Sequence, residues 1–174
     1  MKTYLTYGIY NTLAFALLNL VLYFTGFQTE KLATGQYLNY IGTAIFLGLI
    51  FLGMREVRTE RGEQGLSYGS ALGAGTMIAL FAGVLGAVYV FIHFAYINPE
   101  YPQYLESFMR TKFEAQKIPD SQIEGILKMQ RVFLKPAIMA PLSILGTVFM
   151  GVLGSLILAI FVKRAPSVPP VVEG

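Results

Sequence analysis

The residues able to do chemistry in this chain are few and scattered. His93 is the only histidine, set beside Phe94 and close to Tyr89 and Tyr96. Imidazole titrates near neutral pH, so one reading of His93 is a proton-sensitive group. The preferred reading is a polar residue near the end of an apolar segment, hydrogen-bonded to a neighbour or to water. A metal site would need further ligands, and no carboxylate lies within any of the apolar segments. No metal and no cofactor are expected. Asn11 and Asn19 stand ~80° apart around a helix axis, so one broad face carries both. They act either as hydrogen-bonding groups between helices, each contributing ~0.6 kcal/mol, or as the lining of a narrow polar path. The first is preferred.

Other constellations fall away on inspection. Arg55, Arg58 and Arg61 could meet anionic headgroups, but Glu56, Glu60 and Glu63 interleave with them and cancel the charge. The segment reads as a topology determinant and a solvated helix end. "RGEQG" has neither the P-loop lysine nor the G-x-G-x-x-G spacing, so it cradles no phosphate. There is no H-E-x-x-H and no nucleophile elbow. A charge inside a membrane span would be a functional site by default, and there is none. Ion-coupled transport and intramembrane catalysis are both weakened, and no catalytic residue is expected.

The elements that must position these residues follow from composition. Of 174 residues, 55% are hydrophobic and 13% charged, against ~25% charged in a typical soluble domain. Length permits one domain, spanning 1–174. With no cysteine, disulfides, thiol nucleophiles and thiolate metal sites are excluded. The net charge of +3 and the apolar content argue against nucleic acid as a partner. Residues 3–29, 32–54, 64–99 and 136–162 carry no charged side chain. Crossing a ~30 Å hydrocarbon core takes ~20 helical residues, and hydrocarbon obliges the backbone to bond to itself. Four transmembrane helices are expected, at 4–26, 36–54, 70–96 and 137–162. The first is expected to be a retained span, since its apolar run exceeds the ~7–15 residues of a signal-peptide core and no A-x-A-like site follows.

Lys and Arg of short loops favour the cytoplasmic side. Lys2, the Arg55–Arg61 series, Lys163 and Arg164 must share a side if the chain crosses four times. Both termini are therefore expected in the cytoplasm, and nothing in the composition opposes a bacterial inner membrane as the location. Tyrosines sort the same way. Tyr4, Tyr7 and Tyr68 fall near one interface, and Tyr23, Tyr37, Tyr40, Tyr96, Tyr101 and Tyr104 near the other, as an aromatic belt requires.

Helices associate in lipid where small residues let backbones approach. Gly75, Ala79, Gly83 and Ala87 recur every four residues in the third span, and Gly151 and Ser155 repeat the device in the fourth. Packing within one four-helix bundle is the preferred reading of this stripe. A homo-oligomer seam is the alternative. Pro136 marks the entry of the fourth span, and Pro141 is expected to bend its first turns.

Between spans three and four lies a charged stretch, with ten Asp, Glu, Lys and Arg residues between Glu106 and Lys135. Leu105, Phe108, Met109 and Phe113 recur at helical spacing, and Ile123, Ile126 and Leu127 form a second apolar face. Pro119 stops the first helix, while Ser121 and Glu124 have capping-box spacing for the next. The expectation over 99–134 is an extramembrane helical hairpin whose charges form its solvated faces. Its apolar stripes are covered by each other and the membrane surface, or by a membrane or periplasmic protein partner. A flexible tail is expected over 165–174.

"GMREVRTERGEQGLSYGSALGAG", the exit "NPEYPQY", the long Glu/Lys/Met-rich segment and the terminal "LILAIFVKR" together resemble the bacterial membrane-protein family catalogued as domain of unknown function 4199. The likeness covers nearly the whole chain in order. It implies four transmembrane helices and a Bacteroidetes-like origin, and it transfers no substrate, cofactor or active-site residue. The functional expectation is a non-enzymatic accessory or assembly component acting through protein contacts, embedded in the lipid bilayer. The alternative is a small transporter or channel formed by oligomers. A transporter should bring Asn11, Asn19, Thr43, Thr76, Ser143 and Thr147 to one water-filled cavity, whereas an interaction protein should bury them singly.

Overall fold

The computed structural model describes residues 1–166, and these are all-α. Helix α1 spans Lys2–Phe24, α2 Leu32–Arg61, α3 Tyr68–Ile92, α4 Tyr101–Ala115, α5 Asp120–Phe133 and α6 Pro136–Val162. A short 3₁₀ turn, Gly62–Gln64, follows α2, and one π-helical turn, His93–Ile97, continues α3. Four helices, α1, α2, α3 with its π turn, and α6, are long and apolar enough to cross a membrane. Their outer faces leave Leu13, Leu17, Phe149, Ile157 and Phe161 more than half exposed, which in water would be untenable and in lipid is ordinary.

The second helix is longer than the 36–54 expected from its apolar run. It continues through "REVRTER" because those residues favour helix and nothing breaks it before Gly62, whose φ of 53° only glycine adopts readily. The charged turns rest on α1: the Tyr7 hydroxyl donates to Glu56 at 2.7 Å, and Thr3 donates to Glu60. At this end the link into α3 pairs with the chain leaving α6. Leu66 N–H donates to Arg164 O at 2.9 Å, and Arg164 N–H returns to Leu66 O at 2.8 Å. A side chain at Gly65 would run into the Arg164 carbonyl. Ser67 then caps α3, its hydroxyl accepting from Ser70 N–H at 3.2 Å.

The small-residue stripe of α3 faces α6 of the same chain. A Cβ on Gly75 would collide with Ser155, and one on Gly151 with Ala79. Gly83 lies against Ile144, and Ala87 joins Ala140 and Val90 in one cluster. Gly8 of α1 meets Phe81 of α3 as closely, and Gly53 of α2 meets Ile78 and Tyr7. Between these contacts, Ile50, Met54, Leu66, Ile78 and Val162 are fully buried at the end that carries the described N-terminus. Pro141 lies inside α6.

Helices α4 and α5 form the expected pair. They are joined through Lys117 in the left-handed region (φ 58°) and tied by Arg110 to Glu124 and Arg131 to Glu106. One expectation is corrected. Ser121 does not cap α5; Pro119 holds the N-cap position without a side-chain bond, and Glu124 turns to Arg110 instead. The ion pair across the hairpin outcompetes a local cap. Residues 167–174, most of the expected tail, lie outside the described residues.

Candidate functional site

Away from the Leu66–Arg164 clamp, α2 and α6 part, and a half-open cleft of about 310 Å³ lies between α1, α2, α3 and α6. Its floor is Asn11, Thr12, Leu18 and Asn19 of α1 with Ala82, Gly86 and Val90 of α3. Its rim is Asn39, Thr43 and Ile45 of α2 with Ser143, Gly146 and Met150 of α6. Asn39, Ile45, Gly146 and Met150 are exposed while Asn11 and Asn19 are buried, so the mouth opens sideways, between spans. Phe46 against Gly151, and Leu47 against Gly154, close it toward the clamp.

Asn11, Asn19, Thr43, Ser143 and Thr147 all line this one cleft, and Thr76 is not among its lining residues. Yet most of their donors are engaged by backbone. Asn11 Nδ2 donates to Tyr7 O at 3.0 Å, Asn19 Nδ2 to Phe15 O at 2.9 Å, Thr12 to Gly8 O at 3.0 Å, Thr43 to Asn39 O at 3.3 Å, and Ser143 to Ala140 O at 2.7 Å. Bonding back along the helix is how Ser and Thr satisfy themselves where water is absent. It leaves the cleft a largely hydrocarbon surface of Thr methyls, Phe15, Leu18, Phe46 and Met150.

Asn19 also ends a buried chain of polar groups. Its Oδ1 accepts from Gln28 Nε2 at 2.7 Å; Gln28 Oε1 lies 2.8 Å from His93 Nε2; His93 Nδ1 lies 2.9 Å from the Tyr89 hydroxyl, which lies 3.1 Å from Ala16 O. Asn98 Nδ2 joins at Gln28 Oε1, at 3.4 Å. His93 has no exposed surface, and Asn98 and Gln28 are 2% and 8% exposed. The rings of Tyr23 and Phe94 stand edge-on to the imidazole. The π turn produces this placement: Asn98 N–H closes onto His93 O at 2.7 Å and folds the exit of α3 back over the histidine. His93 is thus bonded to neighbours, as expected, and fully buried within the chain. Gln28 and Asn98 were not anticipated, because both lie in links where polar residues ordinarily face water.

Among the residues expected to meet a partner, Ile123 and Leu127 are fully buried within the chain itself. Leu105, Phe108, Met109 and Phe113 are half-buried, and Ile126 is exposed. No group of three or more metal-ligating side chains occurs among the described residues.

Four long apolar helices around a laterally open cleft, with a helical pair outside, define a multi-pass membrane protein by helix length and composition. The chain belongs to the family described as Protein of unknown function (DUF4199), which matches residues 6–164. Neither the curated proteins nor the solved structures contain a match to it.

Proposed function

We propose that this protein is a non-enzymatic, bilayer-embedded binding protein that accepts an alkyl chain from the surrounding lipid into the cleft between α2 and α6. The observation that carries this reading is the convergence of Asn11, Asn19, Thr43, Ser143 and Thr147 on one cleft whose donors are mostly engaged by backbone carbonyls. An ion path needs charges or free dipoles; this cleft is lined by no charged side chain, and most of its polar side chains bond back to backbone. Its volume of about 310 Å³ lies at the lower end of the roughly 300–1,000 Å³ of small-molecule sites, which suits one chain rather than a whole lipid. The charge asymmetry of the short links supports both termini in the cytoplasm of a bacterial inner membrane. This reading stands nearer the small transporter than the accessory component.

The test uses phosphatidylcholine carrying a diazirine in its acyl chain, in liposomes holding the full chain. Photolabelling is expected at Phe46 and Met150 in the cleft as well as at lipid-facing Ile157. Gly86→Leu and Gly146→Leu are directed into the cleft, since both glycines line it and a Cβ at either has no neighbour within 4 Å. They should suppress cleft labelling and spare Ile157. Cleft labelling that survives both substitutions overturns the proposal.

A second reading, contact with another protein, is favoured by one observation. Ile126, Met129 and Phe133 form an exposed apolar stripe along α5, with Met129 59% exposed. Replacing Ile126, Met129 and Phe133 by serine would abolish recovery of such a partner; co-purification at native yield would dismiss it.

A further inference from the structure

Along the end of α2, acids and bases alternate in sequence as Arg55, Glu56, Arg58, Glu60, Arg61 and Glu63, and the fold sorts them. Residues four apart share a helix face. Glu56 and Glu60 turn together toward α1, where the Tyr7 and Thr3 hydroxyls donate to them. Arg58 and Arg61, three apart, share another face. It is turned to α6, for Arg58 donates to Val162 O at 3.4 Å. Arg55 takes a third direction, over the Phe51 ring. The cancellation expected from the linear order is thus undone in space. Two carboxylates are held on α1, while the arginine face looks onto the clamp where α6 ends and α3 begins.

At that clamp lies a hollow of about 480 Å³. Three segments wall it: Arg61 and Gln64 from the end of α2 and its 3₁₀ turn, Ser67 and Ser70 from the start of α3, and Lys163 and Arg164 just past α6. Three cations line it, and no carboxylate of the described residues does. The side chains of these cations make no hydrogen bond or ion pair with another described residue. Backbone holds them in place. The paired bonds between Leu66 and Arg164 fix the exit of α6 against the entry of α3, Gly65 (φ 69°) lets the two chains approach, and Leu66 is fully buried beneath. Donors accompany the charge. Ser67 donates to Ser70 Oγ at 3.1 Å and accepts from Ser70 N–H at 3.2 Å, which leaves the Ser70 hydroxyl hydrogen for an outside acceptor. The Tyr68 N–H, first in a 25-residue helix, has no acceptor within that helix.

We infer that this hollow binds a phosphate monoester. Such a group carries about −1.5 to −2 charges at pH 7 and three acceptor oxygens. Guanidiniums grip two of its oxygens at a time, and a lysine, a serine hydroxyl and a helix N-terminus supply the rest. A single carboxylate would leave most of the positive charge unanswered. Helices α3 and α6 are both long and apolar enough to cross a membrane, so their ends at the clamp stand at the level of lipid headgroups. The phosphate arrives either on phosphatidic acid in the leaflet or on a phosphate-bearing solute in the adjoining water. The hollow lies on the far side of Phe46 and Leu47 from the lateral cleft, and it does not depend on the cleft taking an alkyl chain.

Native mass spectrometry of the full chain in mild detergent, with phosphatidic acid, phosphatidylglycerol or phosphatidylcholine added, counts the lipid retained. One phosphatidic acid should stay bound at concentrations where the other two do not. Arg61→Gln combined with Arg164→Gln should weaken its retention about tenfold or more. Lys2→Gln combined with Arg55→Gln removes as much charge at the same end but outside the hollow, and should leave retention unchanged. Neither pair touches the backbone bonds of the clamp, and melting temperatures without ligand check that both variants fold. Should the first pair fail to fold, Lys163→Gln alone should weaken retention in the same direction. Glycerol 3-phosphate in place of lipid tests the other source. If it raises the melting temperature of the wild type but not of the Arg61/Arg164 variant, while phosphatidic acid is not retained, the site takes its phosphate from solution. Equal retention of phosphatidylglycerol and phosphatidic acid overturns the monoester. Equal weakening by the two pairs of substitutions shows diffuse surface charge and overturns the site, as does the absence of both lipid retention and stabilisation by glycerol 3-phosphate.

Discussion

His93 Nε2 stands 2.8 Å from Gln28 Oε1, across 65 positions of sequence, and this contact fastens the first link of the chain to the end of α3. Gln28→Leu would strip it away. The His93 ring, Asn19 Oδ1 and Asn98 Nδ2 would each lose the partner they meet in a site closed to water. Leaving buried polar groups unpaired costs roughly 1–3 kcal/mol. A lowered thermal midpoint in mild detergent is expected, and an unchanged midpoint would mean that the chain of bonds contributes nothing to stability.

Close approach along α3 and α6 depends on particular glycines. Gly75→Val should destabilise by about 1–3 kcal/mol, because the added carbons meet Ser155 and Met54. Gly83→Leu should act in the same direction through Ile144. Gly86→Ala, with open space at its Cβ, should be tolerated. Folded yield and melting temperature of the three variants check the ranking. Equal behaviour of Gly75→Val and Gly86→Ala would contradict the packing.

The Ser155 hydroxyl is buried in that seam without a hydrogen-bond partner. Removing an unpaired hydroxyl relieves a desolvation cost, so Ser155→Ala should stabilise by about 1 kcal/mol. Denaturation in mixed micelles measures it. A loss of stability would show that the hydroxyl finds a partner.

Arg131 beside Glu106 holds that carboxyl below the usual carboxylate range, and the hydrogen bond from the guanidinium is the main cause. A depressed folded value contributes stability above the unfolded value and loses it as pH falls through the folded one. Both side chains are partly exposed, so screening keeps the effect small. Protection factors in α4 and α5, with the intrinsic pH dependence of amide exchange divided out, should fall on acidification through that range. Glu106→Gln should show the lower protection already at neutral pH.

Topology is testable because the chain has no cysteine. Thr59 and Ser121 are both exposed, at opposite ends of the bundle. In intact spheroplasts an impermeant thiol reagent should label Ser121→Cys and spare Thr59→Cys. The reverse pattern would invert the orientation proposed for both termini.

Four spans and a helical pair between the third and fourth were legible in the sequence for a simple reason. Hydrocarbon leaves a backbone no alternative to helix, so a charge-free run long enough to cross determines its own conformation. The hairpin was legible through its apolar periodicity and Pro119. Local competition was less so: α2 ran on to Arg61, and Glu124 preferred Arg110 to a cap at Ser121. What only the tertiary structure decided is partnership. Spacing puts Gly75, Ala79, Gly83 and Ala87 on one face but is silent on whether α6 or another molecule covers it. Asn11 and Asn19 have the same appearance in sequence, yet only Asn19 reaches the histidine, through a glutamine in a link. Hydrogen bonds act over about 3 Å, and what lies within that distance of His93 depends on how α1 and α3 pack, which no local pattern encodes.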